Sequence, residues 1–436
     1  MDSVPWGIMM RSWMSAASAT LALLCLLADS QLALAQGFVL SGVGAVNRSM
    51  GGAGTAAPLD AIGALHWNPG SITALPGSRV DFNVESIYDR HSLDSSLFGG
   101  AVSGSSESDT GVMALPAFGL VYQPNDSSLT YGLEVAAIGG FSVNHGPSLT
   151  NPILTPAALG KSYSKLAIMQ VAPTMAVKLT DTISFGVAPT FNMAEAQLDP
   201  FGLAAPDDAN GDTIFTYQSA IQSRMRPGIG VQAGLFMDTE LFNLGLSLKS
   251  PQWFQKFEYE TTDEIGMPRQ VEADITYPMI LSLGYAYKGW DRWLIAVDAR
   301  YVDFSSTETF GDSAGFDGTG AVTGLGWKSV FLTGVGAQYQ VTDRWTLRGG
   351  YSYNTNPIPD QAAFYNTQAA AVYQHVLSVG SSYQLTRNIV SSITWVHGFH
   401  NAIDGPWQSP LGPVPGSVVR VDQEVDSLVM GLGVVF

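Results

Sequence analysis

Residues 292–302 alternate in character. Trp293, Ile295, Val297, Ala299 and Tyr301 share one face, while Arg292, Asp298 and Arg300 share the other. A period of two belongs to a β-strand whose faces meet different surroundings. The apolar face carries an aromatic at each end. At ~3.3 Å per residue, Trp293 to Tyr301 covers ~26 Å; tilted by ~40° it stands ~20 Å tall, near the lipid-facing band of an outer-membrane barrel. The pattern recurs. Trp345, Leu347, Tyr351 and Tyr353 oppose Arg344, Thr346 and Arg348. Leu281, Leu283, Tyr285 and Tyr287 oppose Ser282 and Gly284. Leu428, Met430, Leu432, Val434 and Phe436 oppose Ser427, Gly431 and Gly433. Small residues on the second face leave room for something inside.

About fourteen strands are predicted, at 79–90, 112–123, 129–139, 164–178, 182–195, 225–237, 240–258, 270–287, 292–303, 328–340, 344–354, 374–384, 388–401 and 424–436. Short turns (180–181, 238–239, 342–343, 386–387) alternate with long connections (140–163, 196–224, 304–327, 402–423). That alternation is the mark of a barrel with short periplasmic turns and long outer loops, and an even count places both termini in the periplasm.

Upstream the pattern changes. Asp60 can cap a short helix over 61–66, and Asn68-Pro69 repeats the device with a proline whose fixed φ suits a first helical position. Met50-Gly51-Gly52-Ala53-Gly54 has almost no side-chain bulk and can thread a crowded space. The fold class read here is all-β: a transmembrane antiparallel β-barrel of about 14 strands, with a small N-terminal helical hatch plugging its lumen.

Composition sharpens this. The chain is 46% apolar but only 13% charged, about half the usual share. Its start reads as a secretory signal: Arg11, an apolar run at 16–27, and Ala33-Leu34-Ala35 as the cleavage site. Leu24 before Cys25 disfavours a lipoprotein signal. Cys25 is the single cysteine and would leave with the leader, so no disulfide or thiol metal site is expected. The domains are then 1–35 signal peptide, 36–78 hatch and 79–436 barrel. The net charge of −17 argues against nucleic acid.

These residues resemble the FadL/TodX family of outer-membrane transporters for long-chain fatty acids and other hydrophobic compounds, over nearly the whole mature chain. The resemblance rests on Gly37-Phe38, on Asp60-Ala61 before Trp67-Asn68-Pro69-Gly70, and on Tyr277-Pro278. It also rests on Trp293…Asp298…Tyr301-Val302-Asp303-Phe304-Ser305 and on Trp345-Thr346-Leu347-Arg348-Gly349-Gly350-Tyr351 leading to Asn356-Pro357-Ile358-Pro359. Phe436 resembles the assembly signal read by the barrel-assembly machinery. Two departures stand out: Gly70 replaces the family's alanine, and Ile138-Gly139-Gly140-Phe141 replaces an Ala-Pro-Phe-Gly run.

The resemblance implies passive uptake of hydrophobic small molecules, with outer-membrane lipid and lipopolysaccharide around the barrel. It implies capture on outer-loop apolar residues, here Leu149, Ile153, Leu154, Leu159 and Phe201-Gly202-Leu203. Release would follow a shift of Phe38, Val39 and Leu40, and exit would be sideways where the third strand kinks, at Gly139 and Gly140. Asn68, Pro69 and Gly70 would belong to the hatch and its gating. Arg300 and Arg348 face inward and are candidates for a cargo carboxylate or for pairing with lumen acids such as Asp298.

Alternatives are a general porin for polar solutes and an outer-membrane lipid hydrolase. No catalytic residue, cofactor or metal is expected. Gly311-Asp312-Ser313-Ala314-Gly315 matches a nucleophile elbow only in letters, since that motif needs a strand before and a helix after. Gly160-Lys161-Ser162 ends like a phosphate loop but has Thr155 where glycine is needed. Asp208-Ala209-Asn210-Gly211-Asp212 loosely resembles a calcium loop without its closing acid. His397 and His400 are spaced to lie on opposite faces of a strand.

Overall fold

The computed structural model describes residues 37–436 except 157 and 223; the expected signal peptide and the Gln36 start lie outside the described residues. The strands are β1 (Arg79–Leu97), β2 (Val112–Tyr122), β3 (Leu129–His145), β4 (Ser162–Lys178), β5 (Ile183–Asp199), β6 (Arg226–Asp238) and β7 (Phe242–Lys249), then β8 (Met279–Tyr287), β9 (Trp293–Asp303), β10 (Val330–Gln340), β11 (Trp345–Asn354), β12 (His375–Gln384), β13 (Ile389–Gly405) and β14 (Val418–Val435). Each pairs antiparallel with the next, and β14 pairs with β1 from Val435–Arg79 to Val418–Ser96, closing a barrel of 14 strands. Closure leaves no unpaired edge in lipid, where each orphan backbone group costs several kcal/mol.

The alternation puts apolar side chains outside. In β8, Leu281 and Leu283 are 43% and 58% exposed while Ser282 is buried. Such residues would be a liability in water and are at home in acyl chains.

Several strand ends differ from expectation. β1 continues to Leu97 and pairs with an outer strand at Val102–Glu107, because polar residues alternate as well as apolar ones beyond the membrane. β7 stops at Lys249 and β8 starts at Met279; the residues between supply an outer hairpin, Phe257–Thr262 against Pro268–Ala273. Pro251 and Pro278, which lack a backbone donor, bracket that excursion. β3 runs through Gly139-Gly140 to His145 with a bulge between Ala137 and Gly139.

Residues 37–78 fold inside. They contain α1 (Ala45–Ser49), α2 (Ala61–Trp67) and a 3₁₀ turn, Pro69–Ala74. Asp60 Oδ1 accepts from Gly63 N at 2.9 Å, and Asn68 Oδ1 accepts from Gly70 N at 3.0 Å. A wall residue adds to the cap: Asp81 Oδ2 accepts from Ala61 N at 2.7 Å. Bare wall backbone admits the plug. A Cβ on Gly350 would lie 1.9 Å from Gly51 N, and one on Gly245 2.0 Å from Thr55 O. Any side chain there would push the hatch out.

Candidate functional site

Phe38 is 2% exposed, and its ring meets five others. Phe310 (4.7 Å between centroids), Phe304 (5.3 Å), Tyr277 and Trp327 (5.8 Å each) and Phe141 (6.3 Å) surround it. The cage lies within one buried apolar cluster that runs up the lumen through Ile138, Leu166, Phe201 and Val372. Burying a phenylalanine contributes about 1.5–3 kcal/mol, and tilted ring pairs add to that.

The Phe38 segment is tied to the wall at the β3 bulge. Val39 and Gly139 form an isolated bridge, and Gly140 N donates to Phe38 O at 3.1 Å. A Cβ on Gly139 would lie 2.7 Å from Phe38 O; Gly140 has φ 154°, and its Cβ would lie 2.4 Å from Leu166 O. Both positions therefore require glycine. The same bulge ends a ladder. β2 and β3 pair from Tyr122–Tyr131 only as far as Ala117–Ala136. The walls meet again where Asp109 N donates to Asn144 O at 2.9 Å. Pro116, which has no N–H, borders the gap. Behind it Leu40, Val43 and Ile62 pack with Ala117 and Ala136.

Arg300 and Asp298 hold the hatch. Asp298 Oδ2 accepts from Gly54 N (2.9 Å), Thr55 N (3.0 Å), Thr55 Oγ1 (2.8 Å) and Arg300 Nη2 (2.6 Å). Arg300 also donates to Ser41 O at 3.1 Å and to Gly52 O, and it stacks 3.4 Å over the Trp67 ring. Arg348 donates to Gln338 Oε1 at 2.7 Å and Ser382 Oγ at 2.6 Å. Both cations are thus engaged with protein groups: Arg300 with Asp298 and the hatch backbone, Arg348 with side chains of the wall. Asn68 Nδ2 bridges hatch to wall, donating to Thr55 O and Leu235 O at 2.9 Å each. Pro69 and Gly70 pass so close to β6 that a Cβ on Gly70 would lie 2.7 Å from Gly234 O. Asp298 was visible in the sequence only as a lumen acid; its hatch partners lie some 240 residues away and leave no local signal.

Above the cage, residues 355–374 cross the mouth. Trp327 Nε1 donates to Asn366 Oδ1 at 2.6 Å, and Gln368 Nε2 donates to Tyr163 O and Pro200 O at 3.0 Å. Beneath lies an apolar void of about 40 Å³, lined by Phe141, Leu166, Leu203, Ile275, Phe310 and Ala369 among others. It can hold a water-sized group; known apolar cavities that take a benzene are near ~150 Å³. A benzene-sized molecule fits there only if side chains move. Of the expected capture residues, Leu149 is exposed, but Ile153, Leu154 and Phe201 are fully buried in the cluster, with Leu159 and Leu203 packed against it. The loops are clipped together at Asp207, whose carboxyl lies below the usual range. Desolvation opposes this shift, but the Glu264 amide, Gln218 and Arg269 outweigh it.

The remaining motifs resolve structurally. Gly311–Gly315 leads into a two-residue strand, Gly315–Phe316, so no elbow forms. Asp208 and Asp212 spend side-chain oxygens on turn amides of Thr213 and Ile214. His397 and His400 are not on opposite sides, because a bulge between Gly398 and Asn401 shifts the phase. They bond Asp426 (3.0 Å) and Asp422 (2.8 Å) on β14.

The family described as outer membrane protein transport protein (OMPP1/FadL/TodX) matches residues 26–435. Among solved structures, the Pseudomonas putida toluene transporter TodX is 16% identical, covering 91% of this chain and 99% of its own at a TM-score of 0.66. The Ralstonia pickettii toluene transporter TbuX is 18% identical with 91% and 99% coverage and a TM-score of 0.66. A Pseudomonas aeruginosa FadL homologue is 15% identical with 91% and 99% coverage and a TM-score of 0.67. A search of curated protein sequences gives no match.

Proposed function

The chain belongs to the OMPP1/FadL/TodX family of outer membrane transport proteins, and on that premise we propose that it takes up hydrophobic compounds passively through a hatch-plugged barrel. The observation that carries the reading is Phe38 in its aromatic cage. An aromatic side chain of the protein occupies an apolar site that an aromatic or aliphatic cargo could take instead. Displacing it costs the burial of one ring and the few bonds to the bulge; an incoming hydrocarbon regains ~25 cal/mol per Å² removed from water.

Release then goes sideways. With Phe38, Val39 and Leu40 shifted, the interrupted β2–β3 ladder is the weakest part of the wall and opens toward lipid. Solved relatives are described as toluene transporters, and long-chain fatty acids remain a second cargo class. With Arg300 and Arg348 engaged inside the protein, neutral hydrophobes fit better than carboxylates. The termini face the periplasm in this reading. The porin alternative has nothing in its favour: residues 37–78 occupy the lumen.

Mass spectrometry of small molecules released from protein extracted from native membranes tests this. We expect neutral hydrophobes near one per barrel, lost when the cage rings Phe304 and Phe310 are changed together to alanine. Recovery of polar solutes alone would contradict it.

A further inference from the structure

Lys249 is a cation with no hydrogen bond. It is 3% exposed, and its Nζ has no partner. Its cross-strand neighbour is Gln232, 1% exposed, on the other side of the ladder between β6 and β7. Gln232 Nε2 donates to His66 O at 2.9 Å and Ser247 Oγ at 3.3 Å, which fixes the amide's orientation; its Oε1 is left without a donor. An unpaired donor and an unpaired acceptor thus face inward from directly opposed positions, where Cβ atoms are ~5 Å apart. Buried polar groups are rarely left so without reason.

Their level in the barrel matters. Lys249 stands opposite Ile280, and Ile280 opposite Val302, one inward layer above Arg300. Ile280 and Val302 belong to the apolar cluster that holds Phe38, Tyr277 and Trp327. The orphan pair therefore lies between the hatch at His66 and the lower edge of that apolar cluster.

Charge decides what would fit. Lys249 and Glu134 are close enough to act on each other electrostatically. Glu134 spends its oxygens on His66 Nδ1 and Gln170 Nε2, both at 2.9 Å. Arg300 is balanced by Asp298. The ammonium is thus compensated in charge but not in hydrogen bonds. A cargo carboxylate would bring an unbalanced buried charge, which is costly. A hydroxyl would bring none: its oxygen accepts from Lys249 Nζ while its hydrogen goes to Gln232 Oε1.

Resting on the transport reading above, we infer that Lys249 and Gln232 form a hydroxyl subsite, selecting alcohols or phenols over hydrocarbons and carboxylates of the same size. The test is binding of toluene, p-cresol and p-toluate to the purified full barrel, followed by intrinsic fluorescence. The native protein binds p-cresol about tenfold or more tighter than toluene, as one bond to a charged donor supports, and p-toluate more weakly than p-cresol. Lys249→Met brings the preference for p-cresol over toluene below about twofold. Lys249→Met with Glu134→Gln, which restores charge balance and guards against misfolding, does the same. Equal binding of p-cresol and toluene to the native protein would mean the pair holds ordered water only, and would overturn the inference. So would p-toluate binding tightest, or a cresol preference that survives both variants. If none of the three binds, the transport reading falls with it; equal binding overturns the subsite alone.

Discussion

Asp298→Ala unseats the hatch without opening the barrel wall. The substitution leaves the Arg300 guanidinium buried with its carboxylate gone, and it strips the partner from Gly54 N, Thr55 N and Thr55 Oγ1. Breaking a buried pair by removing one member costs about 3–5 kcal/mol. The β9 strand keeps its ladder, since Asp298 pairs through backbone with Gly284 and Gly334. Amide exchange at residues 50–56 should therefore speed up by about 10²–10⁴-fold, while β8–β10 amides stay protected. Unchanged exchange at Gly54 and Thr55 would show that the latch is not what holds the plug.

The second large effect is expected at the bulge. Gly139→Val places a Cβ within 2.7 Å of Phe38 O and breaks the bridge to Val39. The Phe38 segment loses its tie, and the closed state loses population. A cargo that binds only when the cage is vacated then sees more competent protein, and its apparent affinity rises with that fraction. We expect toluene to bind about tenfold tighter, worth about 1.4 kcal/mol, with Trp327 fluorescence shifted before ligand is added. Weaker binding with an unshifted spectrum would place the segment outside the cargo path.

The barrel was legible in the sequence because lipid imposes a simple rule. Trp293 and Val297 face outward while Asp298 and Arg300 face inward, as their alternation says. The caps at Asp60 and Asn68 were legible because they act within a few residues. The continuation of β3 was not. Gly139-Gly140 reads as a loop start, and only the returning Phe38 and Val39 backbone and the β4 ladder make it strand. The outer hairpin was hidden for the opposite reason: Phe257, Tyr259, Val271 and Ala273 are as apolar as membrane strands but bury their faces within the outer loops. Arg300 shows in the sequence only as an inward cation beside Asp298; its bonds to the carbonyls of Ser41 and Gly52 come from residues some 250 positions away and leave no local signal.

The most direct test of the whole account is uptake by intact cells that make the protein, measured in parallel for radiolabelled toluene and for a sugar of similar size. The account predicts that toluene uptake rises several-fold over cells lacking the protein while sugar uptake does not change. Faster sugar uptake with no gain for toluene would contradict it.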